Sequence, residues 1–469
     1  MGRQICEVCE YIYDDEKSGT AWENLPDNWI CPVCTSSKKL FKKIEEDSIV
    51  PEPELQKKME EEEPVMDLNR TMSDTESYLS DIHEIARTGK SIYEPMRTKH
   101  QTISWDDILI KGAQLSKIPL NRNDPVDTRT MIGPNAKYPL VTESPILISH
   151  MSFGALSREA KIALARGSAA VKTVICSGEG GILPDEFENA YKYILEYVPN
   201  QYSITKENLQ KVDAVEIKFG QSSKPGMGGH LPGGKVTREI SEIRGFKQGE
   251  DIISPSHFPD IKTREDLRQK IDWLREQSLG KPVGIKLAAG NIEADLEVAL
   301  FANPDFITFD GRTGSTGSSP KFIKSSTSVP TVFALYRARK FLDENGGAHV
   351  SLIITGGLRV SSDFAKALAM GADAVAIGTA ALIAIGCQQY RVCNTGKCPV
   401  GIATQDPDLR RRFNIDQASK QLENYLSVST EELKIFARLT GSNKLNGLGI
   451  DDLCTTNSEI SRHTTIPHV

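Results

Sequence analysis

Seven of the nine cysteines fall into two sets, and the spacing of each set reads as an iron site. The first set is Cys6-x2-Cys9 with Cys31-Pro32-Val33-Cys34. A Cys-x2-Cys knuckle offers two thiolates from one tight turn, and two knuckles complete a tetrahedron that zinc and iron both accept. The second set is Cys387, Cys393 and Cys398, followed by Pro399. Three thiolates cannot close a tetrahedral ion by themselves, but they suit a cluster with one uncapped corner. Two such sites at opposite ends of one chain point to electrons being handed along it.

Two further features could do chemistry. Thr355-Gly356-Gly357 and Gly378-Thr379 each follow a short β-branched run. Bare backbone N–H groups in such loops can approach a phosphate closely. Lys286 stands in an otherwise apolar run, which is costly unless it meets an anion or an electron-rich ring. The elements that must position these residues begin near residue 145. Strand-like runs at 145–149, 172–175, 202–205, 214–219, 283–287, 306–309, 350–354 and 374–377 are joined by polar or Gly-rich loops, with helices from Ser157 and Ser361. Short β-branched strands followed by helices predict a parallel sheet, and eight of them predict an α/β fold closed as a (β/α)8 TIM barrel. In such barrels the loops after the seventh and eighth strands commonly grip a phosphate.

Bulk properties narrow the function. At 469 residues and 39% hydrophobic the chain can bury a large core, and its net charge of −7 argues against nucleic acid or an anionic membrane as partner. No apolar segment precedes Cys6, so no secretion signal is expected and a cytoplasmic protein with reduced thiols is. The most apolar run, 374–385, is too short to span a bilayer and reads as a buried strand running into a helix. Residues 1–44 form one expected domain and 45–66 an acidic linker, with Pro51, Pro53, Pro64 and the Glu60–Glu63 run. A long domain over 67–469 follows, opening on a helix at 67–88 capped by Ser73 and ending in helices from about 405, one of them over 431–439. The oligomeric state, a homo-oligomer included, is left open.

Around the first cysteine set, Tyr11-Ile12-Tyr13-Asp14, Gly19-Thr20, Trp22-Glu23-Asn24-Leu25-Pro26-Asp27 and Trp29-Ile30-Cys31-Pro32-Val33-Cys34 closely resemble rubredoxin, over about residues 3–43 with Phe41 included. The resemblance implies one iron that carries single electrons and is shielded by aromatic rings, with structural zinc as the alternative. The gap from Cys9 to Cys31 is shorter than in most rubredoxins, and what is missing is a loop.

A second resemblance covers about 100–440. Ser149-His150-Met151-Ser152-Phe153-Gly154-Ala155-Leu156-Ser157, Ser177-Gly178-Glu179-Gly180-Gly181 and Lys224-Pro225-Gly226-Met227-Gly228-Gly229-His230-Leu231-Pro232-Gly233 are similar to the FMN-binding domain of glutamate synthase. So are Ile253-Ser254-Pro255, Gly314-Ser315-Thr316-Gly317, Gly378-Thr379-Ala380-Ala381-Leu382-Ile383 and, most specifically, Cys387 to Thr404. The resemblance implies FMN over the C-terminal mouth of the barrel, a 3Fe-4S cluster on the three cysteines, and conversion of 2-oxoglutarate and ammonia to glutamate. It assigns Met151, Ser152, Ser177, Lys286, Gly356, Gly357, Gly378 and Thr379 to the flavin. Lys224 and Arg244 match the residues that hold the 2-oxoglutarate carboxylates, His230 and Ser157 complete the substrate set, and Glu179 matches an acid near the reacting carbon. The chain departs from the family at His230 (usually Gln), Arg312 (usually His) and Cys176 (usually Asn), which touches substrate identity rather than flavin binding.

Bacterial glutamate synthases begin with a glutaminase domain whose nucleophile is an N-terminal Cys, whereas this chain starts Met1-Gly2-Arg3. Ammonia is therefore expected free or from a separate glutaminase subunit. Gly226-x-Gly228-Gly229 lacks the context of a dinucleotide fingerprint, so electrons are expected from an external donor, a ferredoxin or a rubredoxin reductase. The expected path runs from the rubredoxin iron through the cluster to FMN, which reduces 2-iminoglutarate. Two rival expectations stand beside it. One is a related synthase using another amine, N-methylglutamate synthase-like, which His230 keeps open; the other is an electron-transfer or redox-sensing subunit without turnover.

Overall fold

The computed structural model describes residues 2–44, 75–100 and 102–469. The expected linker 45–66 and the Ser73 cap lie outside the described residues. The chain divides into two compact units, Met1–Ile92 and Tyr93–Val469.

In the first unit Arg3–Cys6 pairs antiparallel with Ile12–Asp14 on one side and Phe41–Lys43 on the other. Its core is four rings: Tyr13, Trp22, Trp29 and Phe41 meet with centroids 4.8 to 5.4 Å apart. So few apolar residues leave a domain of this size marginal without a metal or other staple. Of the helix expected over 67–88, residues 67–74 lie outside the described ones; in the remainder a turn leads into Leu79–Thr88, which stops at Gly89, whose φ of 63° an L side chain adopts only with strain.

The second unit is a closed parallel barrel of eight strands: β1 (Ile146–Ile148), β2 (Val174–Cys176), β3 (Lys192–Tyr197), β4 (Ala214–Lys218), β5 (Val283–Ala288), β6 (Phe306–Asp310), β7 (Ser351–Thr355) and β8 (Ala374–Ile377). Seven fall where the sequence predicts them. The third does not: 202–205 is a turn, with Ser203 at φ 58°, and β3 lies ten residues earlier. Its run Lys192-Tyr-Ile-Leu-Glu-Tyr197 carries charges at its first and fifth positions, which hide its strand character; Glu196 is buried.

Two layers fill the barrel. At its N-terminal end Leu147, Val174, Ile194, Phe306 and Ile353 pack with Ile132 and Leu140, which come from a hairpin of Thr130–Ile132 and Leu140–Thr142. Gly284 carries no side chain because the Phe306 ring occupies that space. Toward the C-terminal end the inward positions become ionic. In register, Glu196 pairs with Glu216, and two residues further on Lys218 pairs with Lys286, which neighbours Thr308. Helices cover the outside, among them Arg158–Ala170, capped by the Ser157 hydroxyl, against which the long helix Ile415–Leu439 packs. No helix among the described residues is long and apolar enough to cross a membrane.

Candidate functional site

The first centre is the cysteine quartet. Sγ of Cys6 lies 3.6 Å from that of Cys34, and Sγ of Cys9 lies 3.6 Å from that of Cys31. All four ligand atoms fall within 4.8 Å of one another. That is the spacing of four thiolates around one ion with metal–sulfur bonds of about 2.3 Å. The hydroxyl of Ser36 sits 3.0 Å from the Cys34 sulfur, a neighbour able to hydrogen-bond a bound thiolate.

The second centre is a cavity at the C-terminal end of the barrel, about 1630 Å³ with its open mouth included. Met151, Ser152, Glu179, Lys224, His230, Arg244, Lys286, Gly356, Gly357, Gly378, Thr379 and all three cysteines of the second set line it. Two expected site residues do not. Ser157 is fully buried as the helix cap, and Ser177 turns its hydroxyl to the Gly178 carbonyl and the Glu196 N–H. Of the departures from family pattern, Arg312 donates to the carbonyls of Thr327 and Ser325, outside the lining. Cys176 is buried beside His150, and Cys454 is buried in the strand Leu453–Thr455.

The cations of the cavity come in two kinds. Lys286 and Lys218 are paired: Lys286 reaches Glu196 at 2.9 Å, and Lys218 reaches Glu179 at 2.5 Å. Lys224, Lys235, Arg244 and Arg359 have no carboxylate within ion-pair distance among the described residues, although Lys224 and Arg244 are each 8% exposed. Burial, with Lys218 nearby, depresses Lys224 to about 8. Arg244 is likewise lowered by burial; it donates to the Phe153 carbonyl at 2.6 Å, and its Nε is buried with no partner. Desolvated cations without anions are costly, so these four mark where negative charge is missing.

Glu179 carries the opposite sign. Burial opposes its charge, but Lys218 and a 2.5 Å hydrogen bond from Ser254 outweigh that and hold it ionised. Gly229 faces it so closely that any Cβ there would strike the carboxylate. Below lies a buried ionic layer. Burial opposes the Glu196 charge, yet Lys218, Lys286 and His150 bring it down to about 2. His150, against Cys176 and paired with Glu216, is pushed up to about 10 despite its burial, and Thr308 donates to Glu216 at 2.5 Å.

Sequence reasoning found Lys286 and missed Glu196, Glu216, Lys218 and Asp310. The signal was available: Glu216 and Lys218 stand two apart on β4, and Thr308 and Asp310 two apart on β6, so each pair faces one side of a strand. It also missed Arg359, which sits two residues past Gly357.

Gly356 and Gly357 have φ of 114° and 90°, and a Cβ at Gly356 would lie 2.6 Å from the Gly311 carbonyl oxygen. These glycines therefore also serve packing against the loop after β6. The three cysteine sulfurs are not all within 4.8 Å of one another, unlike the quartet. Burial raises Cys387, and it raises Cys393 to about 12, with Cys398 adding to both. Three separated thiols around one wall fit a multi-iron cluster better than a single ion.

Residues 80–443 match the family model for the conserved region in glutamate synthase, and residues 3–41 match that for rubredoxin. A glutamate synthase large subunit-like protein of Rhizobium meliloti is 36% identical over 83% of this chain and 92% of its own length. An archaeal-type glutamate synthase (NADPH) of Thermotoga maritima is 36% identical over 80% of this chain and 78% of its own. The archaeal glutamate synthase (NADPH) of Methanocaldococcus jannaschii is 34% identical over 78% of each chain. Among solved structures, a lactate oxidase from Pediococcus acidilactici overlays with a TM-score of 0.47 at 15% identity, covering 73% of this chain and 81% of that one.

Proposed function

The chain belongs to the glutamate synthase family and carries a rubredoxin domain, and from that premise we propose that it forms L-glutamate by reductive amination of 2-oxoglutarate with ammonia. It is an oxidoreductase of the glutamate synthase type, acting on CH–NH2 groups. One observation carries the substrate reading: Lys224 and Arg244, both buried and both without a carboxylate partner, line the same cavity. A five-carbon diacid supplies two carboxylates, and a guanidinium can bind one of them through two N–H groups.

The chain's own residues then divide the work. Lys224 and Arg244 fix the two ends of the diacid and leave its keto carbon between them. Glu179, ionised beside Lys218, carries two protons in turn from the ammonia nitrogen to the former keto oxygen, one as the carbinolamine forms and one as it dehydrates, so imine and water form and the carboxylate is restored. Ser254 orients that carboxylate.

The residues present fit FMN. The loops after β7 and β8 line the cavity, and Arg359 beside Gly357 is a cation lacking an anion among the described residues. Met151, Ser152, Lys286, Gly356, Gly357, Gly378 and Thr379 would hold the flavin, Cys387, Cys393 and Cys398 a 3Fe-4S cluster, and Cys6, Cys9, Cys31 and Cys34 an iron. When bound, the flavin supplies the hydride for the substrate carbon and the two iron centres supply one-electron carriers to recharge it.

The names of the Thermotoga maritima and Methanocaldococcus jannaschii relatives carry NADPH, but here Gly226-x-Gly228-Gly229 runs into the short strand His230–Leu231 rather than a helix. We therefore assign nicotinamide to a separate donor protein, and ammonia to solution or a separate glutaminase subunit. We read the protein as cytoplasmic, a compartment that keeps thiols reduced. His230, exposed toward the cavity and paired with Asp251 at 2.8 Å, favours a second reading in which the amine is methylated. The test is anaerobic glutamate formation from 2-oxoglutarate and ammonium by chemically reduced, cofactor-loaded protein, run beside methylamine. Glutamate formation is expected, and no amino acid from either amine refutes both readings.

A further inference from the structure

We propose that Lys235 is the positive charge that sets the reduction potential of the three-cysteine cluster, from a position that joins the substrate-binding segment to the cysteine loop. The inference rests on reading Cys387, Cys393 and Cys398 as cluster ligands.

The segment 224–244 places three cations in the cavity wall without a carboxylate for any of them. A diacid needs two, and Lys224 and Arg244 are the two already assigned. Lys235 turns to the cysteine loop instead. It ends the turn Gly233–Lys235, is 9% exposed, and donates from Nζ to the Cys393 carbonyl at 2.7 Å. Its stem packs on the same loop, since a Cβ built at Gly396 would lie 3.2 Å from Lys235 Cε. One carbonyl does not offset the desolvation of a buried ammonium; an anion must complete the site. The groups nearby that can become anionic are Cys393 and Cys398. Three thiolates and inorganic sulfides make an anionic cluster, and adding an electron makes it more so. A fixed cation in a low-dielectric wall therefore favours the reduced form. The helix Arg238–Arg244, which carries the proposed substrate cation Arg244, follows three residues later, so Lys235 stands between that helix and the cysteine loop.

The test uses the full-length holoprotein with iron and sulfide quantified: wild type, Lys235→Met, Lys235→Gln, Lys235→Arg, and Lys397→Met as an exposed lysine of the same loop. Cluster oxidation state is followed by electron paramagnetic resonance during a redox titration. At a fixed ambient potential the reduced-to-oxidised ratio is expected to fall about tenfold in the neutral Lys235 variants, a one-electron shift of about 59 mV. It is expected to stay near wild type in Lys235→Arg and Lys397→Met. Two neutral variants are carried so that the comparison survives if one of them is not tolerated. A cluster present at wild-type potential in the neutral variants overturns the proposal, as does an equal fall in Lys397→Met. Wild-type protein with no cluster signal at all overturns the ligand reading beneath it, and that outcome is distinct because nothing is left to titrate.

Discussion

Cys6 and Cys34 bring their sulfurs to 3.6 Å inside a unit with four aromatic rings and little else for a core, whereas Cys387, Cys393 and Cys398 stand further apart in the wall of a barrel that is already complete. The same side chain does different work in the two places. In the quartet a metal ion would close the structure: two knuckles from distant turns bring together four thiols whose charges, once they are deprotonated, only a cation offsets. In the trio the scaffold comes first, and the thiols are presented to a cavity whose other walls carry unpaired cations. Local spacing makes the first site nearly independent of its surroundings. The second depends on strands and loops drawn from the whole barrel.

Removing the metal should break the two regions unequally. Cys31→Ser, or chelation, is expected to unfold residues 2–44, because structural metal in such knuckles supplies about 10–16 kcal/mol. Loss of dispersed Trp22 and Trp29 side-chain resonances, with the barrel's melting transition unmoved, would show it. Next in size is Glu196→Gln, which strands Lys286 inside the barrel, while Lys218 keeps Glu179, and should cost about 3–5 kcal/mol in a denaturant titration. A smaller loss would mean that the barrel leans on its bound groups more than on its own ion pairs. Third, Lys224→Met should lower kcat/KM for 2-oxoglutarate about 10- to 150-fold, from the loss of about 1.5–3 kcal/mol of charged hydrogen bonding. Its melting temperature should hold or rise, since an unpaired buried cation has been removed. Fourth, Lys224 loses its proton as pH rises through about 8, and only the ammonium binds a carboxylate. KM for 2-oxoglutarate should climb above that pH by up to about tenfold per unit, and Lys224→Arg should flatten the climb. Smallest of all, Cys398→Ser should abolish cluster iron while shifting barrel stability by less than about 1 kcal/mol, the reverse of Cys31→Ser.

Much of this was legible from residue order, for reasons that differ between regions. The quartet is local, so its spacing and aromatic neighbours are enough to place it. Seven barrel strands are short β-branched runs and fall where expected. β3 fails because Lys192 and Glu196 break its apolar character, and the more β-like 202–205 drew the assignment instead. The same property hid the ionic layer. A charge in a strand reads as surface until its partner across the barrel is known, and Glu196 finds Lys286 ninety positions away. Lys224 and Arg244 were legible by resemblance, but that they lack anionic partners is a fact of three dimensions. Ser157 shows the reverse: it matches the motif, yet its hydroxyl caps a helix.

Gly229 has a consequence for how this sequence can change over time. Any side chain there would collide with Glu179 and push the carboxylate off Lys218 and Ser254. The position has no neutral neighbours in sequence space, since even alanine must displace the acid. A saturation library at residue 229 should therefore return glycine alone among active clones. His230 next door is exposed and paired with Asp251, so a substitution there removes one surface ion pair and leaves the buried acid in place.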